Sequence, residues 1–366
     1  MNAPIVLFVY NRPQHTRLTL EALQKNILAE ETELYIFSDS PKITGNDEKD
    51  AKTIELVAEV RNVIRRFTGF KKVNIREQEC NQGLANSIIS GVTEIIHQYG
   101  KVIVVEDDLV SSPYFLSYMN NALAFYENEQ RVFNISAFSF PSATLEIPQE
   151  YPFDTYFLTR NSSWGWGTWC DRWDKAIWDH SQIQNMFKDR RIRMELEKGG
   201  TNLVPILEAQ LAEKIDSWSI RWSFTLSCNN GVSLTPLHSY IHNIGFDGTG
   251  VHCGDMGDAT ALTSDLSLAK RVTTFPDTVE VQEEIARRFA LCYGDMPFLL
   301  HSSVELKDIQ DTLQSTVQSL RKQVEELHYE KDELAKELQN IYSSNSWKIT
   351  APLRLFFILI KKIFGR

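Results

Sequence analysis

A chain of 366 residues, 43% hydrophobic and 23% charged, is long enough to bury a large core, and its composition excludes disorder along its whole length. Its net charge of -10 excludes the broad basic field of a general nucleic-acid binder, so no nucleic-acid partner is expected. One nucleotide held by a few local contacts stays compatible with that charge.

The cysteines (Cys80, Cys170, Cys228, Cys253 and Cys292) are scattered, odd in number and free of any CxxC pair. They argue against a disulfide framework and a thiolate zinc site, and for a reducing compartment. The N-terminus enters an apolar run at once, without the basic region or cleavage site of a signal peptide. No apolar stretch reaches the ~20 residues of a membrane-spanning helix.

In chain order, PIVLFVY (4–10) reads as a buried strand, and Leu18, Leu20, Leu23 and Ile27 suggest a helix after it. Leu34 to Phe37 is a second strand, ending at Ser38-Asp39-Ser40-Pro41. Ile54, Val57, Val60 and Ile64 form a helical stripe, followed by a short strand from Val73 to Arg76. A helix over 83–99 buries Ile88, Val92, Ile95 and Ile96. Lys101 to Val105 is the clearest strand, β-branched after its first residue. Apolar strands alternating with helices predict an α/β fold, Rossmann-like, whose mostly parallel sheet carries helices on both faces. Ligands in such folds sit beyond the carboxyl ends of the strands. That rule singles out Tyr10-Asn11-Arg12, Asp39 and Glu106-Asp107-Asp108. Neither GxGxxG after the first strand nor GxxxxGK[ST] occurs, which speaks against dinucleotide-binding and P-loop readings.

Five of the eight tryptophans, Trp164, Trp166, Trp169, Trp173 and Trp178, fall close together and are interleaved with Gly165 and Gly167. They predict an aromatic layer over the sheet, with Trp164 or Trp166 stacking on a sugar ring and Trp169 and Trp173 in the core. Over 299–343, Leu306, Ile309, Leu313, Val317, Leu320, Val324, Leu327, Leu334, Leu338 and Ile341 follow coiled-coil spacing with polar flanks, which predicts self-association. The alternative is one long helix folded back on the globular part. The segment 344–366 contains Lys348, Arg354, Lys361, Lys362 and Arg366 around the short apolar run LFFILI. A basic amphipathic tail helix of this kind suits an anionic membrane surface, with packing on its own protein or a partner as the alternative.

Three consecutive acids after a buried strand repel one another unless a cation neutralises them. Carboxylate oxygens suit Mg2+ or Mn2+, which also bind diphosphate oxygens and act as Lewis acids toward a leaving group. A solvated acidic turn is the bland alternative.

VIVVEDDLVSSPYFLSYMNNALAFY resembles the DxD region of metal-dependent GT-A glycosyltransferases. It is most similar to N-acetylglucosaminyltransferase I and to bacterial family-two-like polysaccharide glycosyltransferases. IVLFVYNRP and NQGLANSIISG resemble the first nucleotide-binding strand and the helix before the metal strand of that group. The resemblance spans roughly residues 1–255 and implies a GT-A domain over 1–298, with a nucleotide-binding part (1–140) and an acceptor-binding part (141–298). SNSWKITAPLR is similar to endings of bacterial surface-polysaccharide enzymes.

The resemblance implies Asp108 as direct metal ligand, Asp107 near the ribose and Glu106 acting through metal-bound water. It also implies Asp39 at the base, and Tyr10, Asn11 and Arg12 near the nucleotide and its phosphates. Asp216, in KIDSWSIRW, resembles the family's catalytic base before a tryptophan; Ser217 stands where a second acid is usual. His252, in GFDGTGVHCG, is a further candidate metal ligand. The expected activity is inverting transfer from a nucleotide-sugar, a UDP-sugar by resemblance, to a hydroxyl of a glycan or lipid-linked glycan at the cytoplasmic face of the plasma membrane. A coiled-coil scaffold carrying a relic domain is the non-enzymatic alternative. A nucleotidyltransferase would need a glycine- and lysine-rich phosphate loop, which YNRPQHT does not provide.

Overall fold

The computed structural model describes residues 2–248 and 264–293, together with scattered helical residues between 322 and 358. The chain divides into two compact units, Met1–Leu299 and Leu300–Arg366. Apart from the scattered residues, the coiled coil expected over 299–343 and the tail expected over 344–366 lie outside the described residues. Among the described residues no helix is long and apolar enough to cross a membrane.

β1 (Ile5–Val9), β2 (Glu33–Ser38), β3 (Lys72–Glu77) and β4 (Lys101–Glu106) are linked by α1 (Pro13–Gln24), α2 (Asp47–Arg65) and α3 (Leu84–Tyr99). These seven elements follow the sequence reading in order and type, but the α1 stripe holds only for Leu20 and Leu23: Leu18 is exposed, and Ile27 is exposed and lies beyond the helix end at Gln24. Then come β5 (Leu109–Ser111), α4 (Phe115–Phe125), β6 (Val132–Ser136), β7 (Thr155–Leu158) and β8 (Trp166–Trp169). α5 (Cys170–Trp173), α6 (His180–Met186), α7 (Arg190–Glu197), α8 (Leu203–Leu211) and α9 (Trp218–Cys228) precede β9 (Val232–Pro236), β10 (Ile241–Asn243) and α10 (Glu283–Leu291).

Eight strands form one sheet in the order β3-β2-β1-β4-β8-β6-β9-β7, and β10 pairs with β5 in a separate ribbon. β8 runs antiparallel to both β4 and β6, and β7 runs antiparallel to β9. The other pairings are parallel, so the sheet is mixed and mostly parallel. One sheet therefore joins the stretches before and after residue 140, because β8 inserts between β4 and β6.

β1 is apolar along its whole length, and β2 and β4 through their middles, because both faces are covered; β3, at the edge of the sheet, is half-exposed and carries Lys72, Arg76 and Glu77. Ile5, Leu7, Ile103 and Val105 face one core, shared with Leu20 and Leu23 of α1, Val60 and Ile64 of α2, and Met119 and Leu123 of α4. Val6, Phe8, Val102 and Val104 face the other, shared with Ile88, Val92, Ile95 and Ile96 of α3. α3 stops at Gly100, whose φ of 78° ends the helix and turns the chain directly into β4. On α2 the expected stripe holds for Val57, Val60 and Ile64, but Ile54 is exposed. Asp50 is buried in that half of the helix instead, accepting hydrogen bonds from the backbone N–H groups of Thr44 and Gly45, each at 2.9 Å.

The tryptophans are mostly core. Trp166 stacks on Trp218 at 4.9 Å and on Trp173 at 5.7 Å, with Trp222 beside them. The indole N–H groups of Trp169 and Trp173 donate to the Leu123 carbonyl (3.0 Å) and the Thr93 hydroxyl (2.9 Å), so both rings are buried without losing their polar end.

β8 lies so close to β4 that a Cβ on Gly167 would stand 2.9 Å from the Val102 carbonyl oxygen. Backbone cannot yield there without breaking the ladder. Gly167→Ala is expected to cost about 1–3 kcal/mol, read as a lower urea midpoint at unchanged m; an unchanged midpoint would contradict this packing.

Candidate active site

The apolar run of β4 ends at Glu106, and the chain turns at Asp107 and Asp108 before entering β5. Both aspartates are buried. A carboxylate placed so deep needs a counter-charge or hydrogen-bond donors. Arg12 supplies the charge: its Nη2 donates to Asp107 Oδ1 and stands 3.0 Å from Asp108 Oδ2. The Tyr10 N–H adds a long contact of 3.4 Å to Asp107 Oδ2. Arg12 immediately precedes α1, where Pro13 at the first helical position fixes the chain's entry. About two turns further on, the Thr19 hydroxyl donates to the Asp107 carbonyl at 2.8 Å and ties α1 to the acidic turn.

Electrostatics follow from this crowding. Burial works against the Arg12 charge, but Asp107 and Asp108 outweigh it and hold the guanidinium protonated. Glu106 is pushed up to about 8, first by desolvation and then by Asp108 and Asp107, with Arg12 pulling the other way.

The segment after β10 closes over the turn. The Ile244 N–H donates to the Asp108 carbonyl at 2.9 Å, and the Gly245 N–H donates to Asn243 Oδ1 at 2.7 Å. A Cβ on Gly245 would lie 3.0 Å from Asp108 Cγ and collide with its Oδ2, so a side chain here would push this carboxylate out of its place. His15 Nε2 lies 3.2 Å from both the Ile244 carbonyl and Asp247 Oδ2, holding the loop onto α1. Sequence reasoning missed His15; it singles out 243–250 as a glycine-rich loop able to fold over a diphosphate, but not the contacts of Asn243 and Gly245 with the acidic turn. The available signal for His15 was its place three residues after Arg12, one helical turn along from the end of β1.

Asp39 follows β2 directly and accepts hydrogen bonds from the N–H groups of Ser40 (2.8 Å), Gln82 (2.9 Å) and Gly83 (3.0 Å) and from Asn81 Nδ2 (3.0 Å). It thereby fixes the turn into α3. Tyr10 and Asn11 lie at the end of β1, and the Tyr10 hydroxyl accepts from the Lys42 N–H at 3.0 Å. Trp164 is half-buried, edge-on to Phe138 at 4.4 Å and to Phe246 at 5.6 Å, which places it beside the Gly245 loop. Trp166 is fully buried, its faces taken up by the tryptophan cluster.

Asp216 is exposed and pairs with Arg221 at 2.9 Å. It precedes Ser217, which caps α9 by accepting from the Ile220 N–H at 3.4 Å. Trp218 stacks on Trp166, which pairs in register with Val104, two residues short of Glu106. His252 lies outside the described residues.

The arrangement suits a divalent cation. Oxygens of two carboxylates already converge on one cationic nitrogen, and Mg2+ or Mn2+ is commonly held by one or two carboxylates plus phosphate oxygens and water. Among the described residues, three groups able to hold a metal come within 4.8 Å of one another only at His97, Cys170 and Asp174, away from this turn.

No protein-family model matches this chain, and no curated protein does. Among solved structures it is similar to TarS of S. aureus (residues 1–349), at 13% identity over 66% of this chain and 60% of that one, with a TM-score of 0.34. It is similar to the mannosyltransferase PcManGT of Pyrobaculum calidifontis in complex with GDP-Man and Mn2+, at 10% identity over 63% and 69% of the two chains and a TM-score of 0.32. An apo UDP-glucose pyrophosphorylase matches at 11% identity over 66% and 93%, with a TM-score of 0.32. Against the TarS structures the chain spans only 24% to 60% of their lengths. At TM-scores this low the likenesses carry no argument about what this chain binds or does.

The raised Glu106 carboxyl sets a pH dependence. Its ordinary value is 4.5 and its folded value about 8, so the folded chain keeps a proton that the unfolded chain releases between them. Stability therefore falls as pH rises through that window. Measured in chelator, Glu106→Gln is expected to raise Tm more at pH 8 than at pH 5, at roughly 2–4 °C per kcal/mol recovered. A shift independent of pH would contradict the burial of a charge at this strand end.

Proposed function

We propose that this chain is a glycosyltransferase of the GT-A kind, assisted by Mg2+ or Mn2+. It moves a sugar from a nucleotide-sugar, a UDP-sugar, to a hydroxyl of a growing cell-surface glycan with inversion at the anomeric carbon. The observation that carries the reading is the convergence of Asp107 and Asp108 on one cationic nitrogen at the end of a buried parallel strand.

Asp108 would hold the ion together with the donor diphosphate, with Asp107 near the ribose, Glu106 acting through water and His252 as a further candidate ligand. A divalent ion there supplies Lewis-acid stabilisation of the departing nucleoside diphosphate. Arg12, the counter-ion of the acids, then has a phosphate oxygen within its donor fork's reach as an alternative partner. The Gly245 backbone, seated on Asp108, keeps water off that side of the site. Tyr10 and Asn11 line the nucleotide, Asp39 holds the turn beside its base, and Trp164 offers a ring edge toward the sugar. The acceptor oxygen bonds to the anomeric carbon as the carbon–diphosphate bond breaks, and Asp216 takes the hydroxyl proton. Residues 299–343 would pair copies of the chain, and 344–366 would rest on the anionic cytoplasmic leaflet.

A nucleotide-sugar panel scored by thermal shift with and without Mn2+ tests the donor, since stabilisation follows the logarithm of ligand excess over Kd. Asp108→Asn is expected to abolish the Mn2+-dependent UDP shift while keeping the folded state; a retained shift removes Asp108 from the metal site. Asp216→Asn is expected to keep that shift and lower kcat by about 10²–10⁴-fold. Wild-type kcat in this variant would rule the residue out as the base.

A further inference from the structure

We propose that His97, Cys170 and Asp174 form a second metal site, for Zn2+, at the opposite end of β4 from the acidic turn. His97 sits in the last turn of α3, Cys170 opens α5, and Asp174 follows α5 as its C-cap residue. One ligand atom from each lies within 4.8 Å of the other two. His97 Nε2 is 2.8 Å from Asp174 Oδ1, and Cys170 Sγ is 3.6 Å from Asp174 Oδ2. Tetrahedral Zn2+, with Zn–S of about 2.3 Å and Zn–N of about 2.0 Å, sets its ligand atoms roughly 3.3–3.6 Å apart. Small side-chain rotations bring the three atoms to that spacing.

The backbone beneath them is fixed. Cys170 N–H donates to the Gly100 carbonyl at 2.8 Å, Gly100 N–H to Ile96 at 2.7 Å, and Asp174 N–H to Cys170 at 2.8 Å. Lys101 and Trp169 pair in register just inside this point, so the ligands stand on the ends of two paired strands. Asp171 is engaged elsewhere, by Arg172 at 2.7 Å and Gln130 at 2.9 Å, which leaves Asp174 as the carboxylate facing His97. Nitrogen, sulfur and oxygen donors together select Zn2+ over the oxygen-seeking Mg2+ and Mn2+. His97 and Asp174 are about half exposed, so water has access to a fourth position.

As the Zn–S bond forms, the Cys170 thiol gives its proton to solvent. Thiolate, carboxylate and neutral imidazole around Zn2+ then sum to zero charge. The ion ties α3 to the start of α5, clasping the parallel half of the sheet to β8. Five residues of β4 separate this end of the strand from Glu106, about 17 Å at strand rise.

The test is peptide-resolved alkylation of the full chain, stripped with chelator and then given one equivalent of Zn2+, with exposed Cys80 as internal control. Cys170 labelling is expected to slow at least tenfold while Cys80 labelling holds. Co2+ in place of Zn2+ is expected to give a near-ultraviolet thiolate charge-transfer band. His97→Ala and Asp174→Asn should each abolish the protection. Unchanged Cys170 labelling overturns the proposal, and so does protection that persists in His97→Ala, which marks binding by the thiol alone. Neither readout depends on Asp107 and Asp108, so glycosyl transfer stands or falls separately.

Discussion

The burial of like charges at the end of β4 is the constraint that the rest of the site answers. Asp107 and Asp108 lie where water is scarce, and each ionised carboxylate there raises the cost of the next. Arg12 reaches both because β1 and β4 are adjacent parallel strands whose carboxyl ends meet. Strand order therefore sets the electrostatics. Replace β1 beside β4 with any other strand and the acids lose their counter-ion, even with every local sequence intact. Thr19 below and Ile244 above bind the turn's carbonyls, so the acids are held by backbone contacts as well as by charge.

Much of this was legible in the sequence, for a physical reason. Strands buried on both faces must be largely apolar, and the helices between them must be apolar on one side, so β1, β2, β4 and α1 to α3 announce themselves by composition and period, while β3 shows only its Val73 and Ile75. The acidic triplet stood out because it interrupts such a strand. Ile54 misled the stripe because an apolar residue on an exposed turn looks identical to a buried one, whereas Asp50 reaches burial through backbone partners invisible to any period.

What the sequence hid depended on long-range contact. β5 and β10 are three residues each, too short for a pattern, and they meet only through the folded chain. Gly245 and His15 became part of the site through neighbours more than a hundred residues away along the chain. Tryptophan chemistry is ambiguous in one dimension: a ring that could stack on a sugar and a ring that stacks on Trp218 have the same letter. Asp39 shows the same ambiguity, since an acid ending a strand can face a ligand or gather the N–H groups of the next turn, and here it gathers them.

The position of β8 has a consequence for how the chain is made. β4, with its four buried apolar residues Val102 to Val105, gains its second neighbour only from Trp166–Trp169, after β5, α4, β6 and β7 have been synthesised. On the ribosome the nascent first half therefore presents a bare row of hydrogen-bonding groups along its best-formed strand, the kind of edge that captures foreign chains. The tryptophan-glycine alternation of β8 is the late-arriving seal. Its glycine admits the backbone closely enough to zip onto β4, and its large rings anchor the strand from the helical side. A chain stalled before that segment would be sticky; one that has passed it carries both halves of the sheet locked together.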